Sequence, residues 1–321
     1  MKLSNEAPSS LEMSAPSSPG MRAKSADAMY RFTLLDKIIG AVQGLRMRFF
    51  PRKILLAGPY VGEFGHELMD WQACIRSCVP RYREVHVITY PGRALLYPGC
   101  KVHFHGIPPE KAGYKHGRFT PGELDAIART KAAELGLRNY DMLGIRHTCS
   151  QYHRKYILTQ KFELLVRKPL EGPSCDVAFH FRRIHKEGPD DSRNYPLEMC
   201  DELASLCLQE GLRVRCVGHP LYSHCPEGVE DCRSEDLATS AKMIGASRIL
   251  AGELSGPMHL AQLCGTPILI WAPDQWRIDN CNRWNIFGIP TFVVANDTSR
   301  PSTEHVMKVL KDSLQRLALI S

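Results

Sequence analysis

Short apolar runs alternate with segments of helical length along most of this chain, and the pattern runs twice, on either side of one Pro/Gly-rich break. In the first stretch Ile54-Leu55-Leu56-Ala57-Gly58 reads as a buried strand, followed by a glycine loop and a helix from His66 to Cys78. Strands are expected at Val85–Tyr90 and Lys101–His105. Thr120-Pro121-Gly122-Glu123 has capping-box spacing with proline at the first helical position, opening a helix that runs to Leu135 and stops at Gly136. A further helix is expected over Lys155–Val166. The break is Lys168-Pro169-Leu170-Glu171-Gly172-Pro173.

After the break the alternation restarts. Strands are expected at Asp176–Phe181, Arg213–Val217, Arg248–Ala251 and Pro267–Trp271. Helices are expected at Pro196–Glu210, Glu235–Ile244 and Pro257–Cys264, with a terminal amphipathic helix at Thr303–Leu317. Such alternation implies parallel sheets covered on both faces. The chain is therefore expected to be α/β, with an N-terminal tail over 1–28, one α/β domain over 29–168 and a second over 169–321. A cleft between two such halves is the default ligand site.

Composition narrows the class. A hydrophobic fraction of 44% and a charged fraction of 23% are those of an ordinary globular chain. Residues 1–28 are Ser/Pro/Ala-rich without an aromatic residue, the composition of a disordered tail. Nine Lys/Arg against four carboxylates in residues 1–53 supply five of the net +7, so the body is nearly neutral. That argues against a nucleic-acid partner, which would need a basic folded face. Phe32, Leu35, Ile38, Ile39, Val42, Leu45 and Phe49 recur at helical spacing among the basic residues. This segment is either an interfacial helix on an anionic membrane surface or a helix packed on the first domain. Twelve cysteines without a C-x-x-C pair or a leader pattern point to reduced thiols and a cytoplasmic setting, with a peripheral place on the membrane if the helix binds lipid. His219, His224, Cys225 and Cys232 fit no standard zinc spacing, and no Asp-x-Asp occurs, so no metal or cofactor is expected.

The segment richest in chemistry is Ala251-Gly252-Glu253-Leu254-Ser255-Gly256-Pro257-Met258-His259, a strand, a small-residue turn and a helix begun by proline. Free N–H groups and the dipole at that helix start favour an anion. The stretch S-G-P-M-H-L-A-x-x-x-G-T-P resembles the donor-site motif of the lipopolysaccharide heptosyltransferase family, glycosyltransferases of the two-Rossmann GT-B architecture. Arg193-Asn194-Tyr195-Pro196 is similar to that family's entry to the first donor-domain helix, and Arg52-Lys53-Ile54-Leu55-Leu56 with Gly62-Glu63 to its opening strand and loop. The family commonly carries Asp before the Ser-Gly, where this chain has Leu254 with Glu253 one residue earlier, and Asp where this chain has Glu63. His180-Phe181-Arg182-Arg183 also resembles the H-x-R-R motif of fucosyltransferases that use a GDP-sugar.

The resemblance implies two Rossmann-like domains facing across a cleft and a metal-independent, inverting glycosyltransferase using a nucleotide-diphosphate sugar. It implies donor binding by His180, Arg182, Arg183, Arg193, Glu253, Ser255, Gly256, Pro257, Met258 and His259. The acceptor, a glycan, lipid-linked or small molecule, would lie near Gly62 and Glu67. Glu63 is the expected base and His66 the second candidate, since inverting transfer needs a group to take the acceptor hydroxyl's proton. Glu67 and Asp70 are expected on the following helix, Asp70 facing solvent. A nucleotide-sugar epimerase or hydrolase, or a non-catalytic nucleotide-sugar-binding module, are the alternatives on the same architecture.

Overall fold

Apolar runs in a parallel sheet pair with one another only through crossover segments, and the chain uses them twice. The computed structural model describes residues 34–107, 119–144, 160–166, 172–183, 193–272, 274–294 and 300–320. A leading helix, α1 (Leu34–Phe49), precedes β1 (Ile54–Ala57). The expected helix after β1 starts at α2 (Phe64–His66), passes through a π-helical turn at Glu67–Trp71 and continues as α3 (Gln72–Cys78). Then come β2 (Glu84–Thr89), β3 (Lys101–Phe104), α4 (Pro121–Glu134) and β4 (Tyr140–Leu143). The Thr120–Glu123 capping box forms reciprocally, as its spacing predicts. These strands make a parallel sheet in the order β3-β2-β1-β4.

The second half runs β5 (Cys175–Arg182), α5 (Leu197–Gln209), β6 (Val214–Cys216), β7 (Ser223–His224), β8 (Glu230–Asp231) and α6 (Leu237–Gly245). It continues through β9 (Ser247–Glu253), α7 (Gly256–Leu263), β10 (Ile268–Trp271), α8 (Gln275–Trp284), β11 (Thr291–Val293) and α9 (Thr303–Ile320). The sheet order is β11-β10-β9-β5-β6-β8, with β7 antiparallel to the end of β5. Counted within this half with β7 left aside, that is the doubly wound order 6-5-4-1-2-3. Its switch point, where ligands bind in open α/β sheets, falls between β5 and β9. The fold is thus α/β, as the alternation predicts, and its two halves are Rossmann-like.

Leu55 and Trp71 of the first half and Leu250, Met258 and Ile270 of the second belong to one apolar cluster. A second cluster, with Phe179, Leu203, Trp271 and Leu310, fills the other face of the second sheet beneath α5 and α9. The halves therefore share a core rather than hanging on a linker.

Three expectations change. Residues 160–166 are not helical: Lys161 N–H donates to the Ala73 carbonyl and Leu165 N–H to the Leu263 carbonyl, so this strip straps the two halves together. Its partners are distant backbone groups, which a helix would have satisfied internally. Asp70 does not face solvent. The π turn draws all five of its residues inside, and Asp70 accepts a bond from Gln160 Nε2 at 2.9 Å. Strands β4, β7, β8 and β11 and helix α8 go beyond the expected elements. The tail 1–28 and Lys155 through residue 159 lie outside the described residues.

Candidate functional site

At the switch point, β5 ends at Arg182 and β9 at Glu253. The strands approach closely: a Cβ on Gly252 would stand 2.3 Å from the His180 carbonyl oxygen. Glu253 is 3% exposed and ties the crevice floor, accepting from Tyr195 N–H at 2.7 Å and Arg182 N–H at 3.1 Å. Burial pushes its carboxyl up to about 7, against the pull of those N–H donors.

Arg182 is also enclosed. Strand β7 pairs with the last residues of β5, Phe181 opposite His224 and Arg182 opposite Ser223, and so covers them. The guanidinium donates to Asn194 Oδ1 at 2.6 Å, and only 1% of the residue is exposed. Expected as a direct phosphate ligand, Arg182 instead organises the 193–195 turn in this structure. The cation that reaches the helix start is Arg193, whose Nη2 donates to the Leu254 carbonyl at 3.3 Å. Arg183 is half-buried, its N–H on the Tyr222 carbonyl. His180 lies beneath, its Nδ1 3.2 Å from the Val217 carbonyl, and burial pushes its imidazole down to about 4.

Ser255 is the N-cap of α7 but makes no side-chain capping bond. Its Oγ is buried and meets no hydrogen-bond partner. A hydroxyl at an N-cap normally satisfies one of the helix's own N–H groups, and this one does not. Gly256 and Pro257 form the first turn; Pro257 brings shape without an N–H. Met258 is fully buried in the shared core.

The loop after β1 meets this turn directly. A Cβ on Gly256 would lie 2.5 Å from the Phe64 ring, so only glycine lets Phe64 seat there. The Arg93 guanidinium stacks over the Phe64 ring, 3.9 Å from its centroid. Tyr60 hydroxyl donates to the Glu63 carbonyl at 2.6 Å, fixing the residue that precedes α2. The Glu63 side chain is half-buried and does not cap the helix. Gly62 is buried beside it.

His66 packs edge-on against Trp284, centroids 5.4 Å apart, and His259 of α7 packs on the same indole at 4.8 Å. Burial pushes His259 down to about 4, with Gln262 opposing, so it is neutral near pH 7. One tryptophan of α8 thus joins a candidate residue from each half. Glu67 lies deeper: it is fully buried, and its Oε1 accepts from Thr89 Oγ1 and Tyr97 hydroxyl, each at 2.6 Å. Arg93 Nε stands 3.7 Å from its other oxygen. Glu67 therefore holds the 89–97 segment rather than facing an acceptor.

The structure brings together Glu63, His66, Arg193, Ser255, Gly256, Pro257 and His259, and sets His180, Arg182, Glu253, Met258 and Glu67 behind them as support. Phe64, Arg93, Asn194 and Trp284 were not anticipated. Asp274, whose carboxylate accepts from Arg277 N–H at 2.9 Å, is the N-cap signal that would have revealed α8 and with it Trp284. Among the described residues no group of three or more His, Cys, Asp or Glu is placed to hold a metal ion.

No protein-family profile matches the chain, and no curated protein sequence does. Solved structures resemble it in outline. ADP-heptose lipopolysaccharide heptosyltransferase II of E. coli is 16% identical, with a TM-score of 0.49 over 83% of this chain and 99% of that one. A family 9 glycosyl transferase from Veillonella parvula is 12% identical, with a TM-score of 0.49 over 82% and 97%. E. coli heptosyltransferase WaaC with ADP-2-deoxy-2-fluoro heptose is 12% identical, with a TM-score of 0.42 over 82% and 100%. At these identities and scores, function has to be read from this chain's own residues.

Proposed function

We propose that this protein is a glycosyltransferase that moves a sugar from a nucleotide-diphosphate donor to an acceptor hydroxyl, with inversion and without a metal ion. The observation that carries it is the buried, unengaged Ser255 hydroxyl at the start of α7, set at the switch point of a doubly wound sheet. A diphosphate there would take the Ser255 hydroxyl and the first free N–H groups of α7, with the helix dipole favouring its charge. Arg193 supplies the cation that steadies the departing diphosphate, the duty a metal serves elsewhere. Arg182 and Glu253 hold that arrangement from below, through Asn194 and the Tyr195 amide.

The acceptor binds on the first half, against the loop Gly62–His66. Glu63 takes the hydroxyl proton as the oxygen attacks the anomeric carbon from the face opposite the leaving group. His66, fixed against Trp284, orients the acceptor or shares that proton. The bond to the diphosphate oxygen breaks as the new glycosidic bond forms.

Thermal-shift measurements against UDP-, GDP-, ADP-, CMP- and TDP-sugars test this reading. One nucleotide class should stabilise the protein, by about 2.7 kcal/mol at a hundredfold excess over Kd, and EDTA should leave the effect intact. Product from an α-linked donor should be β-linked. Absence of stabilisation by every member of the panel would overturn the proposal.

A further inference from the structure

Helix α1 is amphipathic, and it is docked the unusual way round. Its buried stripe is Asp36, Gly40, Gly44 and Met47, small or polar apart from the methionine. Its C-terminal end is fastened by Arg46, which pairs with Asp141, and by Arg52, whose N–H donates to Asp141 Oδ2 at 2.9 Å. The large apolar side chains point outward. Leu34, Ile38, Val42, Leu45, Phe49 and Phe50 are between 48% and 76% exposed, and the first five follow one another at intervals of three and four along one face. Contiguous exposed apolar area of this kind marks an interaction surface.

We propose that α1 seats the protein on an anionic membrane surface, its outward face lying in the interface plane. Charge selects this occupant. Arg48 and Lys53 are exposed beside the two terminal phenylalanines, and residues 1–53 carry most of the chain's positive excess. A second copy laid parallel on the same face would set these cations against their own counterparts and one laid antiparallel would leave them unmatched, whereas acidic headgroups complement them. Over its described residues the helix is sixteen long, short of the roughly twenty that a bilayer core requires, and no helix among the described residues is long and apolar enough to cross. It lies on the membrane, held by apolar burial and cation attraction together. This surface does not depend on the sugar-transfer reading, and its test can fail while that reading stands.

The test is sedimentation of the full chain with vesicles of phosphatidylcholine alone and of phosphatidylcholine mixed with phosphatidylglycerol. Wild type should pellet with the mixed vesicles and stay largely in solution with the neutral ones. Ile38→Ser/Val42→Ser/Leu45→Ser removes three exposed side chains, so its melting temperature should match wild type while vesicle binding falls on the order of a hundredfold. Arg48→Gln and Lys53→Gln should each weaken binding by about fivefold at low salt and have little effect at high salt. Failure of wild type to bind, equal binding to both lipids, or unchanged binding by the triple serine variant would overturn the proposal. So would a wild-type dimer that the triple variant dissolves while vesicle binding is absent. Should the triple variant melt early, the two single charge variants and their salt dependence decide.

Discussion

The loop after β1 and the turn after β9 occupy equivalent places, each leaving the carboxyl end of a central parallel strand, yet they are built differently. The turn at Ser255 stands on buried polar groups already engaged with one another: Glu253 with the Tyr195 and Arg182 amides, Arg182 with Asn194. The loop at Glu63 is pinned through its backbone by the Tyr60 hydroxyl and leaves its side chains half-exposed. A fixed cradle suits a donor whose diphosphate must sit in one place. Accessible side chains suit a step in which a proton has to move.

The comparison breaks most visibly at Glu63. Glu63→Gln should lower kcat by about 10²–10⁴, the usual worth of a general base, and leave donor Kd unchanged. A larger loss in His66→Ala, with Glu63→Gln near wild type, would transfer the role to the histidine.

Glu253 tests the other side through pH. Its folded-state value of about 7 lies above the ordinary 4.5, so between those limits the folded chain holds more protons than the unfolded chain. Stability contributed by this group is full at low pH and is lost as pH rises through that window. The difference in unfolding free energy between wild type and Glu253→Gln should fall by about 3 kcal/mol across it. A flat difference would mean that Glu253 is not held in a protonated, buried state.

The two arginines separate grip from support. Arg193→Ala should weaken nucleoside-diphosphate binding by about 1.5–3 kcal/mol, as for a charge-assisted hydrogen bond, with little change in melting temperature. Arg182→Ala should chiefly lower the melting temperature, since it empties a buried site. Equal effects on both quantities would erase the distinction. Gly256→Ala forces a methyl group onto the Phe64 ring and should cost about 1–3 kcal/mol, partly recovered when Phe64→Leu is added. Simple additivity of the two changes would show that the halves do not meet there.

Much of this was legible in the sequence. Strands β5, β6, β9 and β10 announce themselves as apolar runs, and Ser255-Gly256-Pro257 marks the start of α7. Depth was not legible. Arg182 reads as a phosphate ligand until β7, a two-residue strand too short to leave a pattern, closes over it. Asp70 reads as a surface residue because a regular helix is assumed, and a single π turn reverses its face. Strand β4 hides because its second residue is Asp141, a buried carboxylate that accepts from Tyr82, Arg46 and the Arg52 amide. Helix α8 hides because its sequence, Gln275 to Trp284, is mostly polar and packs mainly through Cys281 and Trp284.

The most direct test of the central claim is a titration of the matching nucleoside diphosphate, in EDTA, into wild type, Ser255→Val and Glu63→Gln. The cradle at α7 should bind it without metal in wild type and in Glu63→Gln alike. Ser255→Val, which puts one methyl in the hydroxyl's place and adds a second, should weaken binding by at least about tenfold, the worth of one hydrogen bond to a charged group. Equal affinity in wild type and Ser255→Val would contradict the account.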